Sequence, residues 1–189
     1  IGDVRDVVRL RRAMEGCEVV VHAAALKRIE VASYNPDEFV KTNVMGAMNV
    51  VDAARSRGVL RVVLLSSDKA YEPVSPYGLT KALAEFLVLH ADEEGSTRFA
   101  AVRYGNVWGS RGSVVPEWRR LIERGVLQVP VTDPECTRFF MKMDEAVLLV
   151  WDTVTGMSGG ELVIPELPAY RVGDLVAAFG VGMEVIGLP

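Results

Sequence analysis

The sequence predicts an α/β fold: a doubly wound parallel sheet followed by a small C-terminal lobe. Two features of its first half predict this. Short runs of β-branched and apolar residues alternate with long amphipathic stretches, and strand, helix, strand, helix, strand in that order gives right-handed βαβ units. The central run, residues 60–65, is nearly all apolar, as a parallel strand covered on both faces is.

The elements follow in order. Residues 18–22 form the first strand-type run and end in Ala23-Ala24-Ala25. A helix is expected over 35–57, with Asn35 as its cap, Pro36 in the first turn, then Asp37 and Glu38. Gly58 is placed to stop it. The second strand covers 60–65, and 66–76 is a loop rich in Ser and Pro. A second helix is expected over 77–94, ending near Gly95, and a third strand over 99–104. After Gly112 the pattern changes: helical stretches near 116–124 and 143–155 surround loops, one of them 131–138. Ligands of such sheets sit at the carboxyl ends of the strands. Here those ends are 23–27, 66–69 and 104–106, each polar or small where the apolar run stops.

Composition narrows the function. Half the residues are apolar, enough for a sizeable core, and the net charge is -4. With no basic stripe, nucleic acid and anionic membrane surfaces are disfavoured as partners. Cys17 and Cys136 lie far apart, without disulfide or metal spacing, and suit a reducing, cytoplasmic compartment. His22 and His90 are isolated and read as structural, so no metal is expected. The apolar run at 17–26 is broken by Glu18 and His22 and is too short to span a bilayer. The chain does not begin with Met and reads as an internal fragment.

The chemistry concentrates on Ser66-Ser67-Asp68-Lys69, Tyr77 and Lys81. Tyr77 and Lys81 are four apart at a helix start and share a face. A phenol near a helix N-terminus and a lysine ammonium is expected to have its pKa lowered, which makes it a general base for an alcohol proton. Tyr-x-x-x-Lys alone is a weak signal; its position after a strand, a polar loop and the Ser67 hydroxyl strengthens it.

Three segments together, Leu65-Ser66-Ser67-Asp68-Lys69-Ala70, Tyr77-Gly78-x-Thr80-Lys81 and Val102-Arg103-Tyr104-Gly105-Asn106-Val107, resemble the extended short-chain dehydrogenase/reductases. More narrowly, the chain resembles the polysaccharide-biosynthesis dehydratases, and within them the soluble C5-inverting UDP-N-acetylglucosamine 4,6-dehydratases. Further matches are Gly2 to Asp6, His22 to Lys27, Thr42-Asn43-Val44-x-Gly46, Gly109 to Val114 and Thr132-Asp133-Pro134-x-x-Thr137-Arg138-Phe139. The resemblance covers nearly the whole chain. Two positions depart from it: Ser67 replaces the usual Thr and keeps the hydroxyl, and Tyr71 replaces a smaller residue and would narrow the site.

The resemblance implies a Rossmann-like sheet. Residues 1–112 would be a partial dinucleotide-binding domain carrying the catalytic residues. Residues 113–189 would be mostly a partial substrate-binding lobe, interleaved with the first domain. It implies that Tyr77, with Lys81 and Ser67, deprotonates the sugar 4-hydroxyl while hydride leaves C4. Lys69 would then remove the C5 proton, Asp68 would protonate the departing 6-hydroxyl, and hydride would return at C6. The cofactor would be NADP, with NAD as the alternative. Its contacts would be Asp3 and Val4 at the adenine, Ala23, Ala24 and Ala25 along the pyrophosphate, and Asn43, Ser66, Tyr77, Lys81, Tyr104, Asn106 and Val107 at the nicotinamide side. Substrate contacts would fall on Lys27, Asn106, Arg111, Ser113 and Arg138, the arginines matching phosphate oxygens. Homo-oligomers are expected of the full-length protein. No Gly-x-x-Gly-x-x-Gly turn occurs, so the first strands of the sheet are expected to be missing. The 189 residues alone are expected to fold poorly and bind no dinucleotide. The rivals are a UDP-sugar 4-epimerase, which would lack the acid–base pair, a retaining dTDP-glucose-type dehydratase, and a non-catalytic dinucleotide sensor.

Overall fold

The computed structural model describes residues 2–93 and 95–187. In chain order the elements begin with α1 (Val7–Ala13), β1 (Val19–His22), α2 (Ile29–Tyr34), α3 (Pro36–Phe39), a π-helical segment (Val40–Met45), α4 (Gly46–Arg57) and β2 (Arg61–Leu65). A 3-10 turn (Asp68–Ala70), α5 (Pro76–His90), a second 3-10 turn (Ala91–Glu93), β3 (Arg98–Val102), β4 (Asn106–Val107), α6 (Val114–Glu123) and β5 (Gln128–Val131) follow. The chain ends with β6 (Thr137–Met141), α7 (Met143–Gly156), β7 (Leu162–Val163), β8 (Ala169–Arg171), α8 (Val172–Phe179) and β9 (Gly182–Val185). These elements form two compact units. One runs to Tyr104 and includes Val147–Pro165; the other comprises Gly105–Ala146 and the chain from Glu166 onward.

The first unit holds a parallel sheet in the order β1-β2-β3-β7. Successive side chains of a strand point to opposite faces, and both faces of this sheet are covered. On one, Val62, Leu64, Phe99 and Ala101 pack with Ala47, Val50 and Ala54 of α4 and Ala84 and Val88 of α5. On the other, Val63, Ala100 and Val102 pack with Val154 of α7 and Met157 just beyond it. Helices on both faces of a parallel sheet are the doubly wound arrangement that the apolar runs predict. Val19 and Val21 of β1 remain 41% and 45% exposed.

The helix expected over 35–57 is divided into α3, the π segment and α4. Asn35 does not cap it. Its backbone closes α2 instead, with its N–H and its side-chain amide both on the Val31 carbonyl, so its side chain makes no cap bond to α3. Gly58 ends α4 as expected, at φ 66 in the left-handed region. The helix expected over 77–94 starts one residue earlier, because Ser75 caps it and Pro76 takes its first turn. It ends at His90 before the 3-10 turn, and Glu94 lies outside the described residues.

The second unit has two small sheets. In one, β4 pairs with β6 in parallel and β6 with β8 antiparallel; in the other, β5 pairs with β9 in parallel. Its core is Val115 and Trp118 of α6, Val129 and Val131 of β5, and Leu175 and Val176 of α8. The loop expected over 131–138 is flanked by strands: β5 ends at Val131 and β6 begins at Thr137. Among the described residues, no helix is long and apolar enough to cross a membrane.

Candidate active site

In the first unit, the site forms where β2 ends and α5 begins. Ser75 Oγ accepts from Gly78 N at 3.2 Å, which fixes the start of α5. Gly78 lies so close to the preceding turn that a Cβ there would stand 2.4 Å from the Lys69 carbonyl oxygen. Only glycine lets the helix start rest on the Asp68–Lys69 turn. Tyr77 is 8% exposed and its ring meets Phe39 edge-on at 6.4 Å. Ser67 links the two segments. Its hydroxyl holds down the pKa of the neighbouring Tyr77 phenol, donates to Asp68 Oδ1 at 2.8 Å and accepts from Lys69 N at 3.3 Å. Lys69 Nζ reaches the same Asp68 oxygen at 3.0 Å. The Asp68 backbone N–H is anchored on the Tyr104 carbonyl at 3.0 Å. Hydroxyl, carboxylate and ammonium therefore form one hydrogen-bonded chain, with the Tyr77 phenol beside its Ser67 end. Tyr71, expected to narrow the site, is 65% exposed.

The protonation expected for Tyr77 is corrected. Burial pushes its phenol above the ordinary value, the Ser67 hydrogen bond opposes that, and the Asp68 and Tyr104 charges add to it. A helix start and a nearby lysine do not outweigh removal of a phenolate from water. Lys81 gives its ammonium to the Leu65 carbonyl at 2.6 Å. Burial lowers its pKa to about 8, while Glu85 acts in the other direction.

His22, at the end of β1, is 5% exposed, and burial together with the Lys81 charge lowers its pKa to about 4. Between the ordinary histidine value of 6.5 and about 4, the unfolded chain binds a proton at His22 that the folded chain does not. Stability is therefore full above that window and falls as pH drops through it, by roughly 3 kcal/mol. Replacing His22→Gln should flatten the pH dependence of the urea-unfolding free energy across this window. An unchanged slope would show that His22 protonates normally in the folded protein.

The residues expected at a cofactor fall into distinct settings. Ala23 and Ala24 are exposed and Ala25 is half-buried, directly after β1, and Lys27 is exposed beyond them. Ser66 is buried, and its Oγ has no hydrogen-bond partner among the described residues. Burial also raises the pKa of the Tyr104 phenol. Asp3 takes the Arg5 guanidinium and backbone N–H, which hold its carboxyl down at about 2. Val4 packs on Gly46 and into the core beside α4. Asn43 differs from expectation. Both its amide hydrogens are spent, on Leu26 O at 2.9 Å and Thr80 Oγ1 at 3.1 Å, while its oxygen accepts from Leu26 N at 2.8 Å. Its side chain braces the main chain next to Lys27 against the first turns of α5.

Asn106, Val107, Arg111, Ser113 and Arg138 belong to the second unit. Asn106 and Val107 form β4, and Asn106 Nδ2 donates to Phe139 O at 3.2 Å. A cavity of about 250 Å³ opens beside them, lined also by Ser113, Thr132 and Arg138. Arg111 is exposed outside that lining. The cavity contains residues that the sequence reading did not single out. Trp108, Phe140 and Tyr170 pack on one another at 5.6 to 6.5 Å between ring centroids and share its wall. The buried Ser113 Oγ has no hydrogen-bond partner among the described residues. Trp108 directly follows Asn106-Val107, so its place in the motif was the available signal; Tyr170 stands on a three-residue strand without one.

The family model described as polysaccharide biosynthesis protein matches residues 1–186. The chain belongs to this family. Among family relatives, it is 44% identical to the UDP-N-acetylglucosamine 4,6-dehydratase (inverting) of Campylobacter jejuni subsp. jejuni serotype O:2, over 100% of this chain and 58% of that protein. It is 39% identical to the UDP-glucose 4-epimerase of Rickettsia akari, over 99% of this chain and 54% of that one. The chain thus spans little more than half the length of these curated relatives. The X-ray structure of Pen from Bacillus thuringiensis superposes with a TM-score of 0.94 at 38% identity, over 100% of this chain and 62% of that one. For this polysaccharide-biosynthesis chain, the Rossmann-like sheet expected from the sequence is the fold observed.

Proposed function

We propose that this chain carries the catalytic groups of a nucleotide-sugar 4,6-dehydratase acting on UDP-N-acetylglucosamine with inversion at C5. One observation carries the reading: Asp68 and Lys69 form a contacting acid–base pair, joined through Ser67 to the Tyr77 phenol. The 44% identity to an inverting dehydratase supports it.

The residues present suit a nicotinamide dinucleotide. Ala23 and Ala24 leave the strand end open for close backbone approach, and the buried, unpartnered Ser66 Oγ supplies a hydrogen-bonding group. Asp3, Val4, Ala25, Tyr77, Lys81, Tyr104, Asn106 and Val107 complete the proposed set, with NADP favoured over NAD. Bound there, the cofactor supplies a hydride acceptor for C4 and a hydride donor for C6. Tyr77 takes the proton of the sugar 4-hydroxyl, and Ser67 orients that hydroxyl. The resulting 4-ketone acidifies the C5 proton.

Asp68 and Lys69 provide both remaining proton transfers. They form an ion pair at 3.0 Å. When substrate excludes water, the charged pair loses solvation, and one proton shift along their 3.0 Å contact makes a neutral amine beside a carboxylic acid. The amine removes the C5 proton. The acid gives its proton to O6, the C6–O bond breaks, and water leaves. The pair is then charged again; the Lys69 ammonium protonates C5 after hydride reaches C6, and the pair regains one proton through solvent, matching the one Tyr77 took from the 4-hydroxyl. Lys27, Asn106, Arg111, Ser113 and Arg138 are the proposed substrate contacts. We place the protein in the cytoplasm as a homo-oligomer.

The second reading is a UDP-sugar 4-epimerase, favoured by the 39% identity to a UDP-glucose 4-epimerase. It would use Tyr77 and leave Asp68 and Lys69 without a task. Incubating the whole protein with UDP-N-acetylglucosamine in heavy water decides between them. Loss of one water, with deuterium at C5 in the product, is the expected outcome. A product of unchanged mass with C4 inverted would replace the dehydratase by the epimerase.

A further inference from the structure

Tyr77, Lys81 and Glu85 stand four residues apart on α5, so they share one face. They are 8%, 4% and 5% exposed. The first two belong to the proposed chemistry; Glu85 does not. Its partner is Arg103, just past β3, whose Nε donates to Glu85 Oε2 at 3.2 Å and whose Nη2 donates to Oε1. The Arg103 backbone N–H is bonded to Val163 O at 2.9 Å, which fastens the pair to the sheet. Desolvation offsets most of the attraction in a buried ion pair, so an apolar pair would serve packing equally well. An apolar pair would not place a negative charge one turn from Lys81.

Among the described residues, Glu85 is the charge that favours the Lys81 ammonium. Its hydrogen bond goes to the neutral Leu65 carbonyl. His22 on β1 is uncharged above about pH 4. Arg103 at the end of β3 is taken up by Glu85. Toward the strand ends lie the Tyr77 phenol and, beyond it, Asp68 paired with Lys69, and neither favours the Lys81 ammonium. Glu85 is the carboxylate whose charge favours the Lys81 ammonium.

We propose that Glu85, locked by Arg103, is a positioning residue that keeps Lys81 charged and fixed on the Leu65 carbonyl, one helical turn from Tyr77. The inference rests on the reading of Tyr77 and Lys81 as catalytic groups. Its test does not depend on turnover. In the full chain labelled with ¹³C at the lysine ε-carbons, the Lys81 resonance is assigned by its loss in Lys81→Arg and followed through a pH titration. Glu85→Gln should move the Lys81 titration down by roughly one pH unit, and Glu85→Asp by less. In the active enzyme, the alkaline limb of the kcat profile should move with it. Glu85→Gln alone leaves Arg103 an unpaired buried cation, so Glu85→Gln/Arg103→Met is measured beside it and should also shift Lys81 downward. An unmoved Lys81 titration in the folded double variant overturns the proposal, whatever the turnover. A shifted Lys81 in a protein that does not dehydrate UDP-N-acetylglucosamine would leave this inference standing and remove the dehydratase.

Discussion

Tyr77→Phe should lower kcat for UDP-N-acetylglucosamine by about 10²- to 10⁴-fold, the span general-base removal ordinarily costs, with the fold intact. The two halves of that expectation have separate causes. The ring is what packs: it is buried, and it meets Phe39 edge-on. Phenylalanine keeps that contact. The hydroxyl is what the proposed reaction uses, because it stands beside Ser67, Asp68 and Lys69 as the group able to take a proton from a sugar alcohol. Burial makes its resting state the neutral phenol, so the proton must leave Tyr77 before or while it accepts the substrate's. The fixed Lys81 ammonium and the Ser67 hydrogen bond favour that loss. Steady-state turnover and an unfolding curve on the same preparation check the expectation. Retained kcat would place the base elsewhere, and a collapsed unfolding midpoint would make the loss structural.

The sheet was legible because burial on both faces leaves a mark that a single strand can carry. Residues 62–64 and 99–102 are apolar without interruption, and all are buried. Gly58 and Pro36 were legible because a left-handed cap and a first helical turn each demand a residue type. The π segment left no such mark: Val40–Met45 reads as ordinary helix, yet it carries the Asn43 that ties Leu26 to Thr80. Strand β5 alternates buried valines with Gln128 and Pro130 over four residues, too short to separate from loop. The candidate residues around Tyr77 were named from spacing and come together in space. The direction of the Tyr77 shift was not legible, because it depends on how deeply the phenol is buried. Spacing along a helix carries no information about that. The aromatic wall of Trp108, Phe140 and Tyr170 was hidden for a related reason, since it is assembled from the residue after β4 and from β6 and β8, which are distant in sequence.

Lys69→Met should abolish water loss and deuterium entry at C5, again by about 10²- to 10⁴-fold, while oxidation at C4 persists. The separation follows from where the two residues stand. Tyr77 and Lys81 are buried on α5, whereas Lys69 lies in the 3-10 turn, its side chain 31% exposed and bonded to Asp68. Methionine keeps the length of the side chain and removes the amine. It leaves the Asp68 carboxyl in place, so the missing function is the base. Asp68→Asn removes the acid and leaves the base. With Asn in place, Lys69 has to give its proton to water instead of Asp68 before it can exchange the C5 proton once C4 is oxidised, and O6 has no donor. Deuterium should therefore enter C5 of recovered substrate in Asp68→Asn and not in Lys69→Met, and neither variant should release water. An epimerase predicts a different pair of results: both variants would interconvert the C4 epimers at close to the parent rate, because nothing in that reaction requires a proton at C5 or O6. Recovered substrate from both variants, examined for deuterium at C5 and for configuration at C4, separates the two chemistries even if overall turnover falls in each.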